Sequence, residues 1–117
     1  MGFPALNFEV TTQDTRKLKA FYKSAFGWSI GKGPHKGVHA VDTGSKKGIQ
    51  GFLLERNEYI PDYVSFYIGV PDLGKAIAKV LKAGGQVIRP EFSPNPKMSL
   101  AIVMDPEGHV FTLRKTR

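Results

Sequence analysis

The chain has 117 residues, no cysteine and a formal net charge of +7, with 41% hydrophobic and 23% charged residues. That length carries one domain, or two fused half-size modules, with a genuine core, and the missing cysteines exclude a disulfide framework, a thiolate metal site and a cysteine nucleophile together. No apolar run approaches the roughly 18 residues that span a bilayer. Met1-Gly2-Phe3-Pro4-Ala5-Leu6 lacks the basic stretch and long apolar run of a secretory signal, so a cytoplasmic protein with no membrane partner is expected. The positive balance favours anionic partners. Its lysines are dispersed, however (Lys17, Lys19, Lys23, Lys32, Lys36, Lys46, Lys47, Lys75, Lys79, Lys82), which reads as a solvated basic face, and nucleic acid is not expected as a partner.

In chain order, Phe8 and Val10 alternate with Asn7 and Glu9, the period of a half-buried strand. Asp14 stands where a helix N-cap belongs. Leu18, Phe21, Tyr22, Ala25 and Phe26, three and four apart, predict a helix that buries one stripe and stops at Gly27. A short extended run, Trp28–Ile30, precedes strands at Val38–Asp42 and Ile49–Glu55, which flank the turn-rich Thr43-Gly44-Ser45-Lys46-Lys47-Gly48. The polar segment Arg56–Tyr63, with Pro61, then joins a second half. There Phe66, Ile68 and Val70 alternate with Ser65, Tyr67 and Gly69, and Asp72 caps a helix with a stripe at Ala76, Ile77, Val80, Leu81 and Ala83 that ends at Gly85. Gln86–Ile88 is extended, and Pro90–Pro96 reads as a proline-rich loop, placed as the mobile edge of a pocket. Ser99–Met104 and His109–Arg114 flank Asp105-Pro106-Glu107-Gly108, a type I turn composition.

The two halves repeat. Shifted by 58 residues, Asn7–Asp14 lies over Ser65–Asp72, Lys17 meets Lys75, Gly27 meets Gly85 and Ile30 meets Ile88, without a gap over 24 positions. Pattern, cap and helix phase match together, which indicates a duplicated βαβββ unit. The expected modules are residues 1–58 and 59–117.

Phe8-Glu9-Val10 with Asp14, then Lys19-Ala20-Phe21-Tyr22-Lys23-Ser24-Ala25-Phe26-Gly27-Trp28, resembles the first module of small bacterial members of the glyoxalase, bleomycin-resistance and extradiol-dioxygenase (vicinal oxygen chelate) superfamily. Val70-Pro71-Asp72-Leu73 with Ala83-Gly84-Gly85-Gln86-Val87 resembles the second module, and Asp105-Pro106-Glu107-Gly108-His109-Val110-Phe111 its closing hairpin. The resemblance covers nearly the whole chain. It implies an α+β fold in which two tandem βαβββ modules form a curved eight-stranded mixed sheet around a cleft, and homodimerisation. It says little about any one reaction.

Metal-dependent members of that superfamily carry His, Glu or Gln on the first and last strand of each module, holding a divalent ion with open positions for substrate. Carried over by position, the first-strand ligand falls on Asn7, its repeat equivalent on Ser65 and the last-strand ligand of the second module on Thr112. The fourth falls on Gln50 or Phe52. Asn, Ser and Thr are neutral oxygen donors and weak anchors for a transition metal, so no cofactor is expected, and a divalent metal only at a non-standard site. The expected function is binding of a small organic molecule in the cleft without the usual metal. The alternative is a lyase, isomerase or dioxygenase with a relocated site.

By strand alternation, Asn7 and Glu9, then Ser65 and Tyr67, then Thr112 and Arg114 with Val110, line the expected cleft. With His39 and Gln50 they make up the candidate ligand contacts. Glu9 is also a candidate general base if desolvated, and His39 with Glu9 a candidate migrated metal site. His35 lies in a Gly-Pro loop and His109 at a turn, and no histidine pair has HxxxH or HxH spacing, which favours structural or exposed histidines. Trp28 is expected to pack in the core rather than stack on a ligand.

Overall fold

The computed structural model describes residues 2–57 and 61–116; residues 58–60 of the expected linker lie outside the described residues. Among the described residues, eight strands and two helices follow one another as two βαβββ modules, an α+β chain as the repeat predicts. Asn7–Val64 forms one compact unit, and residues 2–6 group with 65–116 in the other. Among the described residues no helix is long and apolar enough to cross a membrane.

The first module contains β1 (Ala5–Thr12), α1 (Thr15–Phe26), β2 (Ser29–Lys32), β3 (Val38–Asp42) and β4 (Gly51–Glu55). Its sheet runs β2-β3-β4-β1. β1 and β4 are parallel, in register from Phe8 opposite Gly51 to Thr12 opposite Glu55, and β3 is antiparallel to both neighbours. Asp14 caps α1 by accepting from the Lys17 N–H at 3.1 Å. Gly27 ends it at φ 73°, its N–H bonded to the Lys23 carbonyl, the left-handed turn that glycine takes without steric cost. One core sits between helix and sheet: Ile30, Val41 and Leu53 are buried, with Phe8, Val10, Leu18, Tyr22 and Trp28 packed on them. Trp28 stacks on Tyr22 (5.2 Å) and Phe8 (5.4 Å). Not all of the expected helical stripe is buried: Phe21 and Phe26 flank it and are 51% and 60% exposed, their rings in edge contact with each other.

The second module contains β5 (Val64–Val70), α2 (Leu73–Lys82), β6 (Gln86–Asn95), β7 (Met98–Met104) and β8 (Val110–Lys115). Its sheet runs β5-β8-β7-β6, with β5 and β8 parallel and the rest antiparallel. Asp72 caps α2 through the Lys75 N–H at 2.9 Å. Gly84 rather than Gly85 takes the left-handed φ of 97° after the helix. Gly85 is needed for a different reason: a Cβ there would lie 2.6 Å from the Met104 carbonyl oxygen. Val70, Leu73, Ala76, Ala101, Val103 and Leu113 form the core.

The expected loop at Pro90–Pro96 is instead mostly strand. β6 runs through Pro90 and Pro94 to Asn95, with register shifts after Val87, Arg89 and Phe92. Bulges on the terminal strand of the module's sheet accommodate residues that lack an N–H for the ladder.

Candidate functional site

β1 places its polar residues, rather than its apolar ones, in the more buried positions. Asn7, Glu9 and Thr11 are 9%, 3% and 7% exposed. They alternate with Phe8 and Val10, which face the helix-side core. Buried carboxylates are costly unless hydrogen-bonded, and Glu9 is supplied from an unexpected residue: the Tyr63 phenol donates to its Oε1 at 2.5 Å. Tyr63 is itself tied to β1. Its N–H donates to Thr11 Oγ1 (2.9 Å), and its carbonyl accepts from the Thr11 hydroxyl (3.2 Å) and the Thr11 N–H (3.1 Å). Burial, then the charge of Glu9 and the hydrogen bond to it, push the Tyr63 phenol far above the ordinary tyrosine range. It therefore acts as a fixed hydrogen-bond donor to the carboxylate. Tyr63 closes the polar segment Arg56–Tyr63 that joins the two halves, so strand alternation did not mark it.

Next to Thr11 a cleft of about 330 Å³ is lined by Thr12, Asp14, Lys17 and Asp62, among others. Its two carboxylates are engaged: Asp14 caps α1, and Asp62 pairs with Arg56 at 3.0 Å.

The other candidates are distributed as follows. Phe52, not His39, shares the Glu9 face. Glu9 stands opposite Phe52 and Phe52 opposite Ala40, whereas His39 stands opposite Leu53 and Leu53 opposite Val10 on the helix side. The two residues of the candidate migrated site therefore sit on opposite faces of the module's sheet, because one step along a strand reverses the side chain. His39 Nε2 contacts Glu55 Oε2 at 2.6 Å. Gln50 precedes β4 and is exposed; its amide braces the loop before it, accepting from the Thr43 N–H (2.6 Å) and donating to the Ser45 carbonyl (3.0 Å). Asn7 donates to the Phe8 carbonyl at 3.1 Å. In the second module Tyr67 stands opposite Thr112 and Gly69 opposite Arg114, so the expected face is formed there. Tyr67 and Thr112 are each 6% exposed. The Ser65 hydroxyl donates to the Val110 carbonyl at 2.5 Å.

These donors do not suit a divalent transition metal. The carried-over positions offer an amide, two hydroxyls and either an amide engaged with its own loop or a phenyl ring, with no carboxylate or imidazole. Among the described residues, no three His, Cys, Asp or Glu side chains gather where they could hold an ion.

A family model described as "Glyoxalase-like domain" matches residues 7–114. The relatives named "Putative glyoxylase CFP32" in Mycobacterium bovis and Mycobacterium tuberculosis are each 28% identical over 106 residues, covering 86% of this chain and 41% of theirs. The chain thus spans about two fifths of the length of these curated relatives. Among solved structures it is similar to the hypothetical protein BH1468 from Bacillus halodurans (TM-score 0.71, 16% identity, 100% of this chain and 96% of that one). It is also similar to a glyoxalase/bleomycin resistance protein/dioxygenase superfamily member from Vibrio splendidus (TM-score 0.67, 14% identity, 98% and 100%). Methylmalonyl-CoA epimerase from Mycobacterium tuberculosis follows (TM-score 0.68, 11% identity, 97% and 87%). At these identities the structural likeness shows the fold.

Proposed function

Because the chain belongs to the glyoxalase-like domain family, we propose that it binds a small organic molecule on the polar face of β1, without the divalent metal used by the superfamily's lyases and dioxygenases. The observation that carries this reading is Glu9, a carboxylate 3% exposed and held by the Tyr63 phenol. Burying a charge among strand residues costs stability that an apolar side chain would not, and sites that bear such a cost are enriched in binding and catalysis. Asn7 and Thr11 extend the same face with an amide and a hydroxyl. A ligand presenting N–H or O–H groups suits this set better than a carboxylate, which Glu9 would repel. The reading includes a cytoplasmic homodimer, to be checked by light scattering on the purified chain.

The relatives' name favours the second reading, a metal-dependent enzyme with a relocated site. One experiment separates the two. Elemental analysis of protein purified from metal-rich medium, with thermal stability followed on adding Ni²⁺, Zn²⁺, Mn²⁺ or Fe²⁺, is expected to give no stoichiometric metal and no stabilisation. A compound screen is expected to give thermal shifts that Glu9→Gln abolishes. A tight stoichiometric ion would overturn the metal-free reading, and thermal shifts unaffected by Glu9→Gln would move the ligand elsewhere.

A further inference from the structure

On the helix-side face of the first module, three neighbouring strands line up charged residues that the β1 site does not use. Lys32 of β2 stands directly opposite His39 of β3. His39 stands opposite Leu53, two residues before Glu55 on the same face of β4, and its Nε2 meets Glu55 Oε2 at 2.6 Å. The hairpin between β2 and β3 encloses a cleft of about 440 Å³ lined by Lys32, His35, Lys36 and His39 along its length.

The hairpin is held in shape from two sides. The Glu55 N–H donates to the Gly37 carbonyl at 2.8 Å, and the Val38 N–H donates to the His35 carbonyl at 3.2 Å. Gly37 takes a φ of 82°, and a Cβ on Gly33 would lie 1.9 Å from the Val38 carbonyl oxygen, so both glycines are required by the backbone path. A fixed loop has little ordering entropy left to lose on binding. Its charge balance is positive. Two lysines outnumber the one carboxylate, Glu55, which contacts His39, and among the described residues neither Lys32 nor Lys36 forms an ion pair.

We propose that this hairpin is a second binding site, for a small oxyanion of the phosphate or carboxylate type, held by Lys32 and Lys36 beside the His39–Glu55 pair. Lysines supply compact positive charge and rotatable N–H donors, and the glycine-bounded loop lets the ligand approach the backbone. The site is independent of Glu9, which lies on the other face of the sheet.

The test is titration of the isotope-labelled protein with inorganic phosphate and, separately, with acetate, at ionic strength held constant with sodium chloride. Backbone amide and His39 ring signals are followed by NMR. Saturable shifts confined to residues 32–39 are expected. Tighter phosphate binding marks a phosphate-type ligand and tighter acetate binding a carboxylate. One charge at roughly 7 Å through water changes affinity about threefold. Lys32→Ala with Lys36→Ala should therefore weaken binding about ninefold, and Glu55→Gln should tighten it about threefold. Both lysines lie on the hairpin surface, so the fold is preserved, which circular dichroism checks. Shifts that do not saturate, that spread equally over Lys46, Lys47, Lys75 and Lys79, or that persist in the double lysine variant would overturn the site.

Discussion

Replacing Tyr63 by Phe isolates the feature on which the functional reading rests. The ring remains, and so do the backbone hydrogen bonds that tie residue 63 to Thr11; only the phenolic O–H that donates to Glu9 is lost. A hydrogen bond to a charged, buried acceptor contributes about 1.5–3 kcal/mol. For a chain of 117 residues, a loss of about 2 kcal/mol lowers Tm by roughly 6–10 °C. Trp28, the only tryptophan, is stacked on Tyr22 and Phe8 in the first module's core, so its fluorescence during urea unfolding reports on that module. The decisive form is a double-mutant cycle with Glu9→Gln. If the phenol and carboxylate hold each other, the double variant should be more stable than the sum of the single losses predicts, by about 1 kcal/mol or more. A Tyr63→Phe protein within about 0.3 kcal/mol of the parent, or strict additivity in the cycle, would refute the claim that Tyr63 secures Glu9.

Three further outcomes follow from the same geometry. The Tyr63 phenol is raised in the folded chain, so its contribution is full below its unfolded value of 10.0 and is lost as pH climbs toward its folded value; urea midpoints between pH 8 and 11 should fall more for the parent than for Tyr63→Phe. Asp105 is lowered, first by the backbone N–H of His109 and further by its side chain and the Glu107 N–H. Its contribution is present above the unfolded value of 3.8 and lost as pH falls through the folded one, so an acid titration should separate the parent from Asp105→Asn above pH 4 and bring the two together below it. Gly51→Ala would put a Cβ 2.2 Å from the Phe8 ring. Trp28 packs against that ring, so overpacking should cost about 1–3 kcal/mol by urea unfolding.

Much of the fold was legible because three independent signals agreed. Alternation marked β1 and β5, the caps Asp14 and Asp72 fixed the helix starts, and the 58-residue shift tied the halves together. Local propensity misled at Pro90–Pro96, where prolines suggest a loop but a bulged terminal strand tolerates them. It also misled at Phe21 and Phe26, because helical spacing identifies a stripe but not how wide a band the sheet covers. The site was half legible. Alternation placed Asn7 and Glu9 on one face, but His39 cannot be assigned a face until the β3–β4 register is known, and a one-residue slip reverses it. Tyr63 lies in a segment between elements, where periodicity ends, and its partner is 54 residues away in sequence.

The two repeats differ at the matched positions of their first strands. At the 58-residue shift Asn7, Glu9 and Thr11 correspond to Ser65, Tyr67 and Gly69. In the second set the Ser65 hydroxyl donates to the Val110 carbonyl. At Gly69 a Cβ would lie 2.9 Å from the Thr116 side chain and 3.0 Å from that of Leu6, so that position serves close packing. On the other face Trp28 covers Phe8, while its counterpart Gln86 leaves Phe66 stacked on Phe111 and 43% exposed. The two modules thus carry different residues at matched positions. The first retains a carboxylate that costs stability to bury and a tyrosine that offsets the cost, a combination that packing alone does not require.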